Sequence, residues 1–179
     1  MAFIAGLMHF GLRVKNYRRT LEFYCDALGF EKMFELTKRD LYETMDQGVG
    51  EAKIRGDEDA IWLAYLRIKN EQYLEIFPVP DEEVLPYNEK QSFFHLSLQV
   101  DDIVETVKEM RKRGVTVYSL HKDIAGGKPA PREFVPLRGR CGSLIAWIQD
   151  PDGNLIEVME LTDRSLQRKC DQQLSGKNQ

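Results

Sequence analysis

The sequence predicts an α+β fold made of two copies of one β-α-β-β-β module, and three observations point to it. Residues 9–16, HFGLRVKN, return as residues 95–102, HLSLQVDD; both place a His, then a Leu three residues on and a Val five on. The runs YLEIF at 73–77 and LIEVM at 155–159 each hold one Glu inside an apolar stretch. The His-to-Glu separations are nearly equal, 66 residues from His9 to Glu75 and 62 from His95 to Glu157. A repeat of this kind governs the fold assignment before any local signal does.

Each element follows from its own pattern. Phe10, Leu12 and Val14 alternate with polar or small residues, as do Leu96, Leu98 and Val100, the period of a half-buried strand. His9 and His95 are out of phase with those side chains, so each shares the opposite face with its neighbours: Gly11 and Arg13, or Ser97 and Gln99. A helix starts at Asn16 or Tyr17, shows Leu21, Tyr24, Cys25 and Leu28 on one face, and stops at Gly29. Its counterpart starts at Asp101 or Asp102, carries Val104, Val107 and Met110, and stops at Gly114. A strand is expected after each glycine, at 30–37 and at 115–119. Two further strands complete each half. They run over 60–68 and 73–77 around the turn Lys69-Asn70-Glu71, and over 144–149 and 155–159 around Asp150-Pro151-Asp152-Gly153-Asn154.

The modules are expected at 1–80 and 93–162 of one structural domain, with a linker at 81–92 inside a proline-bearing acidic stretch and a polar tail at 163–179. Two segments break the symmetry. Residues 39–59 are polar and partly helical in pattern, and 121–142 form a long loop with Gly126-Gly127, three prolines and the cations Lys128, Arg132, Arg138 and Arg140. Those cations are placed to clamp a carboxylate or phosphate of a small substrate.

Composition narrows the function. The 179 residues are 42% hydrophobic and 30% charged, with a net charge of −4. That balance is of a globular chain without the basic footprint of a nucleic-acid or anionic-membrane partner. No apolar run approaches the ~20 residues of a membrane span, and the opening residues lack the basic n-region of a secretion signal. Three cysteines without metal-type spacing read as reduced thiols of a cytoplasmic protein.

A carboxylate inside a strand of apolar neighbours is costly unless paired or metal-bound. Here two His and two Glu stand at equivalent places of a repeated module. Packed about a pseudo-twofold axis, His9, Glu75, His95 and Glu157 converge on one point, and two imidazoles with two carboxylates suit Zn, Ni, Co, Mn or Fe.

The segments HFGLRVKNYRRTLEFYCDALGF at 9–30, YLEIF at 73–77, FHLSLQVDD at 94–102 and WIQDPDGNLIEVMEL at 147–161 resemble the vicinal oxygen chelate superfamily of glyoxalase I, bleomycin-resistance and dioxygenase-like proteins. The resemblance implies a duplicated βαβββ module curling eight mixed strands into a half-open barrel around a divalent metal, with His9, Glu75, His95 and Glu157 as ligands. It implies a lyase or isomerase that stabilises an enediolate of a small oxygenated substrate, with Glu157 as the base, Glu75 second, and a homodimer as the assembly. Arg13 matches the arginine that contacts the glutathione carboxylate in bacterial glyoxalase I, and Arg138 and Arg140 are further substrate-binding candidates. The asparagine that follows the first Glu ligand in glyoxalase I is absent here, where Pro78 and Val79 stand, which weighs against a glutathione conjugate and leaves the metal–enolate chemistry. Alternatives within the superfamily are an epimerase resembling methylmalonyl-CoA epimerase, a dioxygenase, and a non-catalytic protein that sequesters a small molecule such as a drug.

Overall fold

The computed structural model describes residues 7–45, 56–80 and 93–176. The chain divides into two units, Met1–Leu85 and Pro86–Gln179, and the expected linker at 81–92 lies outside the described residues.

In the first unit the strands are β1 (His9–Val14), β2 (Glu31–Thr37), β3 (Ile61–Lys69) and β4 (Gln72–Pro78), in the sheet order β1-β4-β3-β2. β1 runs parallel to β4, while β4–β3 and β3–β2 are antiparallel. The parallel pair requires a crossover, and helix α1 (Tyr17–Leu21) begins it and packs against β4. Asn16 caps α1 through its side chain, accepting from Arg19 N at 3.0 Å, and its carbonyl accepts from the Thr20 hydroxyl at 3.0 Å. The helix widens into a π-helical segment over Glu22–Ala27 and stops where Gly29 takes φ +81°. Val14, Tyr24, Ala64, Leu66, Leu74 and Ile76 are buried beneath it. Part of 39–59 is helical as expected, in α2 (Lys38–Met45).

The second unit repeats the plan. Strands β5 (Leu96–Val100), β6 (Leu137–Arg138), β7 (Leu144–Gln149) and β8 (Leu155–Glu160) take the order β5-β8-β7-β6, again with the first and last strands parallel. Asp102 caps α3 (Ile103–Lys112) by accepting from Glu105 N at 2.9 Å, and its carbonyl accepts from the Thr106 hydroxyl at 2.6 Å, as Asn16 and Thr20 do in the first unit. α3 lies over β7 and β8, with Ile103, Val107 and Met110 buried, and Gly114 closes it at φ +82°. Together the two four-stranded mixed sheets and their helices form the predicted α+β architecture.

One expected strand is corrected. Residues 115–119 form no strand; only Tyr118 bridges to Trp147, with backbone bonds of 2.8 and 2.9 Å. The edge of β7 is instead shared, Tyr118 meeting Trp147 and β6 meeting Leu144 and Ile145. Between those two contacts the chain leaves the sheet, forms helix α4 (His121–Ala125), and returns. The excursion therefore splits what is one seven-residue edge strand in the first unit. Arg111 fastens it, donating to the carbonyls of Ala130, Pro131 and Arg132 at 2.9 Å each.

The polar tail holds a helix, α5 (Leu166–Gly176), and a dense set of bonds ties its start to residues 139–143. Thr162 Oγ1 donates to Gly142 O at 2.9 Å, Leu166 N to Cys141 O at 2.8 Å, and the buried Ser143 and Ser165 hydroxyls meet at 2.9 Å. This crowding sets Gly142, since a Cβ there would lie 2.1 Å from Arg164 O at φ +88°. Gly127, at φ +57°, has open space around it. Gly142→Ala is expected to cost about 3 kcal/mol or more and Gly127→Ala only about 1 kcal/mol, measured by denaturant unfolding.

On β2, Lys32 Nζ (2.7 Å) and then the Tyr17 hydroxyl (2.5 Å) donate to Glu35 and hold its carboxyl below the ordinary range. A carboxyl depressed in the folded state stabilises above its unfolded value, about 4.3, and loses that contribution as pH falls through the folded one. Thermal scans from pH 7 to pH 3 should show a smaller acid loss in Glu35→Gln than in the wild type.

Candidate metal centre

The parallel pairing of first and last strands sets each half of the site. Glu75 on β4 stands opposite Gly11 on β1, and Glu157 on β8 stands opposite Ser97 on β5. His9 and His95 each lie two residues ahead of those partners. Side chains two apart on a strand share a face, so each imidazole reaches diagonally to its carboxylate. In the first unit His9 Nε2 lies 3.1 Å from Glu75 Oε2; in the second, His95 Nε2 lies 3.6 Å from Glu157 Oε2. The carboxylates are the better covered partners, with side chains 15% and 11% exposed. The expected residues thus meet as two His–Glu pairs, one per unit. Among the described residues no group of three or more His, Cys, Asp or Glu side chains gathers in either unit.

The third strand of each sheet adds a residue that sequence reasoning missed. Tyr65 on β3 is paired with Glu75, and Trp147 on β7 with Glu157. Each ring stands edge-on to the neighbouring His, with centroids 5.8 Å apart for His9–Tyr65 and 5.0 Å for His95–Trp147. The signal was present in the chain, because an aromatic residue stands ten positions before each Glu. The Tyr65 hydroxyl lies 3.5 Å from His9 Nδ1. Its hydrogen bond to Glu75, then partial burial and the carboxylate charge, push the phenol up to about 12. On the other side, Ser97 Oγ donates to Glu157 Oε2 at 3.1 Å.

Around His95 the site is more aromatic. Phe94, His121 and Trp147 pack within 4.8 to 6.2 Å of one another or of the imidazole, centroid to centroid. His121 is carried there by the excursion that splits the edge strand. His95 Nδ1 and Trp147 Nε1 are buried without a hydrogen-bond partner among the described residues. Asp150 anchors the turn leading into β8; its Oδ1 accepts from Asp152 N (3.0 Å) and Asn154 N (2.8 Å), and its Oδ2 from Asn154 Nδ2 (2.8 Å).

The cationic candidates separate. Arg13 is exposed on β1, opposite Phe77 and on the strand face that carries His9. Arg138 donates to Gly142 O and, at 3.1 Å, to Thr162 Oγ1, so its guanidinium is engaged in the loop beside α5. Arg140, in the same loop, is exposed. No helix among the described residues is long and apolar enough to cross a membrane.

The chain is similar to known proteins in sequence and in fold. The chain is 27% identical over 157 residues to a lactoylglutathione lyase of Salmonella typhimurium, covering 88% of this chain and 93% of that one. It shares its fold with a glyoxalase family protein from Enterococcus faecalis (TM-score 0.57, 23% identity, 89% of this chain and all of that one). An antibiotic binding protein from Streptomyces sp. CB03234 has the same fold (TM-score 0.53, 16% identity, 90% of this chain and all of that one), so fold by itself leaves the chemistry open. With residues 6–158 matching the family profile, which spans both His–Glu pairs, the chain belongs to the Glyoxalase/Bleomycin resistance protein/Dioxygenase superfamily.

Proposed function

We propose that the protein is a metal-dependent lyase or isomerase of the glyoxalase type, acting on a small substrate with oxygens on adjacent carbons. The observation that carries the reading is the duplicated His–Glu pair, each pair having imidazole Nε2 and a carboxylate oxygen turned toward one another. Two imidazoles and two carboxylates fit a borderline divalent cation, Zn, Ni, Co, Mn or Fe. On this reading His9, Glu75, His95 and Glu157 hold one ion inside a half-open barrel of eight strands, built within one chain or across a homodimer. When bound, the ion supplies Lewis-acid stabilisation of negative charge on the substrate oxygens.

The remaining roles belong to the chain. Glu157 takes the proton from one oxygen-bearing carbon of the substrate and returns it to the neighbouring one, with Glu75 as the second candidate base. The Glu157 side chain is well covered, 11% exposed. Arg13 offers a charge-assisted contact to an anionic substrate group, and Arg140 a second, with Arg138 shaping the loop that carries it. The relatives named lactoylglutathione lyase support the reaction class. The three free thiols support a cytoplasmic location.

Purified protein is expected to hold about one divalent ion per four-ligand site by elemental analysis. His95→Ala should lose it, together with the metal-induced rise in melting temperature. Glu157→Gln should retain weaker metal binding but lose roughly 10²- to 10⁴-fold in turnover of a 2-oxoaldehyde or hydroxy-acid substrate. Wild-type protein that takes up no metal and gains no thermal stability from any of the five ions would overturn the proposal.

A further inference from the structure

Four cations stand in the loop at 121–142, and one of them lines a recess apart from the proposed metal centre. Arg132 borders a cavity of about 390 Å³ in the second unit, together with Arg111 of α3. The lining includes neither His95 nor Glu157, nor any of the rings around them. Its apolar floor is made by Val115, Val117 and Ala130, all buried. Thr116 and the two guanidinium groups supply the polar part. Backbone bonds build the wall: Ala130 N donates to Val117 O at 2.8 Å, and Arg111 donates to the carbonyls of Ala130, Pro131 and Arg132 at 2.9 Å each.

We infer that this recess binds a small organic anion, with Arg132 and Arg111 holding its carboxylate or phosphate and the floor taking a short apolar body. The balance of charge carries the inference. A guanidinium has five N–H donors; that of Arg111 makes its three bonds to neutral carbonyls and lies 5.8 Å from the Phe134 ring centroid, so no anion matches its charge. Arg132 is exposed, and its side chain makes no hydrogen bond or ion pair among the described residues. No Asp or Glu lines the recess. Two like charges on one cavity repel, and an oxyanion between them relieves that repulsion while gaining charge-assisted hydrogen bonds. The three carbonyls already fix Arg111, so binding costs little of its side-chain freedom. The volume falls within the range of small-molecule sites. A ligand here is a second molecule beside the substrate, and the inference does not depend on the metal-centre reading.

The test is an NMR titration of the full-length protein at fixed ionic strength, with acetate, butyrate, inorganic phosphate and butyl phosphate as probes. Saturable amide shifts are expected at Val115, Thr116, Val117, Ala130 and Arg132. Butyrate should bind tighter than acetate, and butyl phosphate tighter than phosphate, because the longer chains reach the floor. The tighter head group then tells a carboxylate ligand from a phosphate one. Arg132→Gln is expected to weaken the best probe about tenfold or more; the side chain is exposed, so the fold tolerates the change. Lys128→Gln, a cation of the same loop outside the lining, should leave affinity unchanged. His95→Ala should also bind the probe at wild-type strength. Absence of saturable shifts with all four probes would overturn the inference. So would wild-type affinity in Arg132→Gln, the mark of an adventitious ion only, or loss of binding in His95→Ala, which would move the anion to the metal centre. None of these outcomes removes the metal centre, whose own test is metal uptake.

Discussion

The site depends on the parallel pairing of the first and last strands in each sheet. A parallel neighbour puts residues from distant parts of the chain side by side in fixed register, so Gly11 meets Glu75 and Ser97 meets Glu157 across 64 and 60 residues of chain. The His two residues upstream then falls on the same face and within reach. The crossover helix that makes this pairing possible is held by a cap and a glycine stop of the same design in both units, Asn16 with Gly29 and Asp102 with Gly114. Disturbing the register by one residue would turn each Glu to the opposite face of its sheet.

Around this shared frame the two units differ in chemistry. The first sets Tyr65 beside its pair, with Phe34 and Tyr73 packed on that ring and the phenol hydroxyl 3.5 Å from His9 Nδ1. The second uses Ser97 for the carboxylate and packs the imidazole in Phe94, His121 and Trp147, where two nitrogens find no partner among the described residues. Buried polar atoms without partners are rare in folded proteins.

Much of this was legible in the chain because it rests on period and repetition. Alternation in HFGLRV and HLSLQV placed the strands and the face of each His, and the two embedded Glu residues marked the partner strands. The parts that stayed hidden depend on register between strands distant in sequence. Tyr65 and Trp147 are one aromatic residue among many until pairing sets them beside Glu75 and Glu157. The π-helical segment at Glu22–Ala27 shares its apolar spacing with an ordinary helix at this length. The expected strand at 115–119 failed because β-forming residues there find only one partner on β7, and Leu137–Arg138 is too short to show a period.

The interrupted edge strand of the second unit bears on how such a protein diversifies. The chain departs and returns at the outermost strand of the sheet, with β7 standing between it and the β5–β8 pair. Residues can be gained or lost in that stretch without shifting the register between β5 and β8, and Arg111 ties the added length back to α3. Length and sequence in that stretch can therefore vary while the β5–β8 pairing that sets Ser97 beside Glu157 stays fixed.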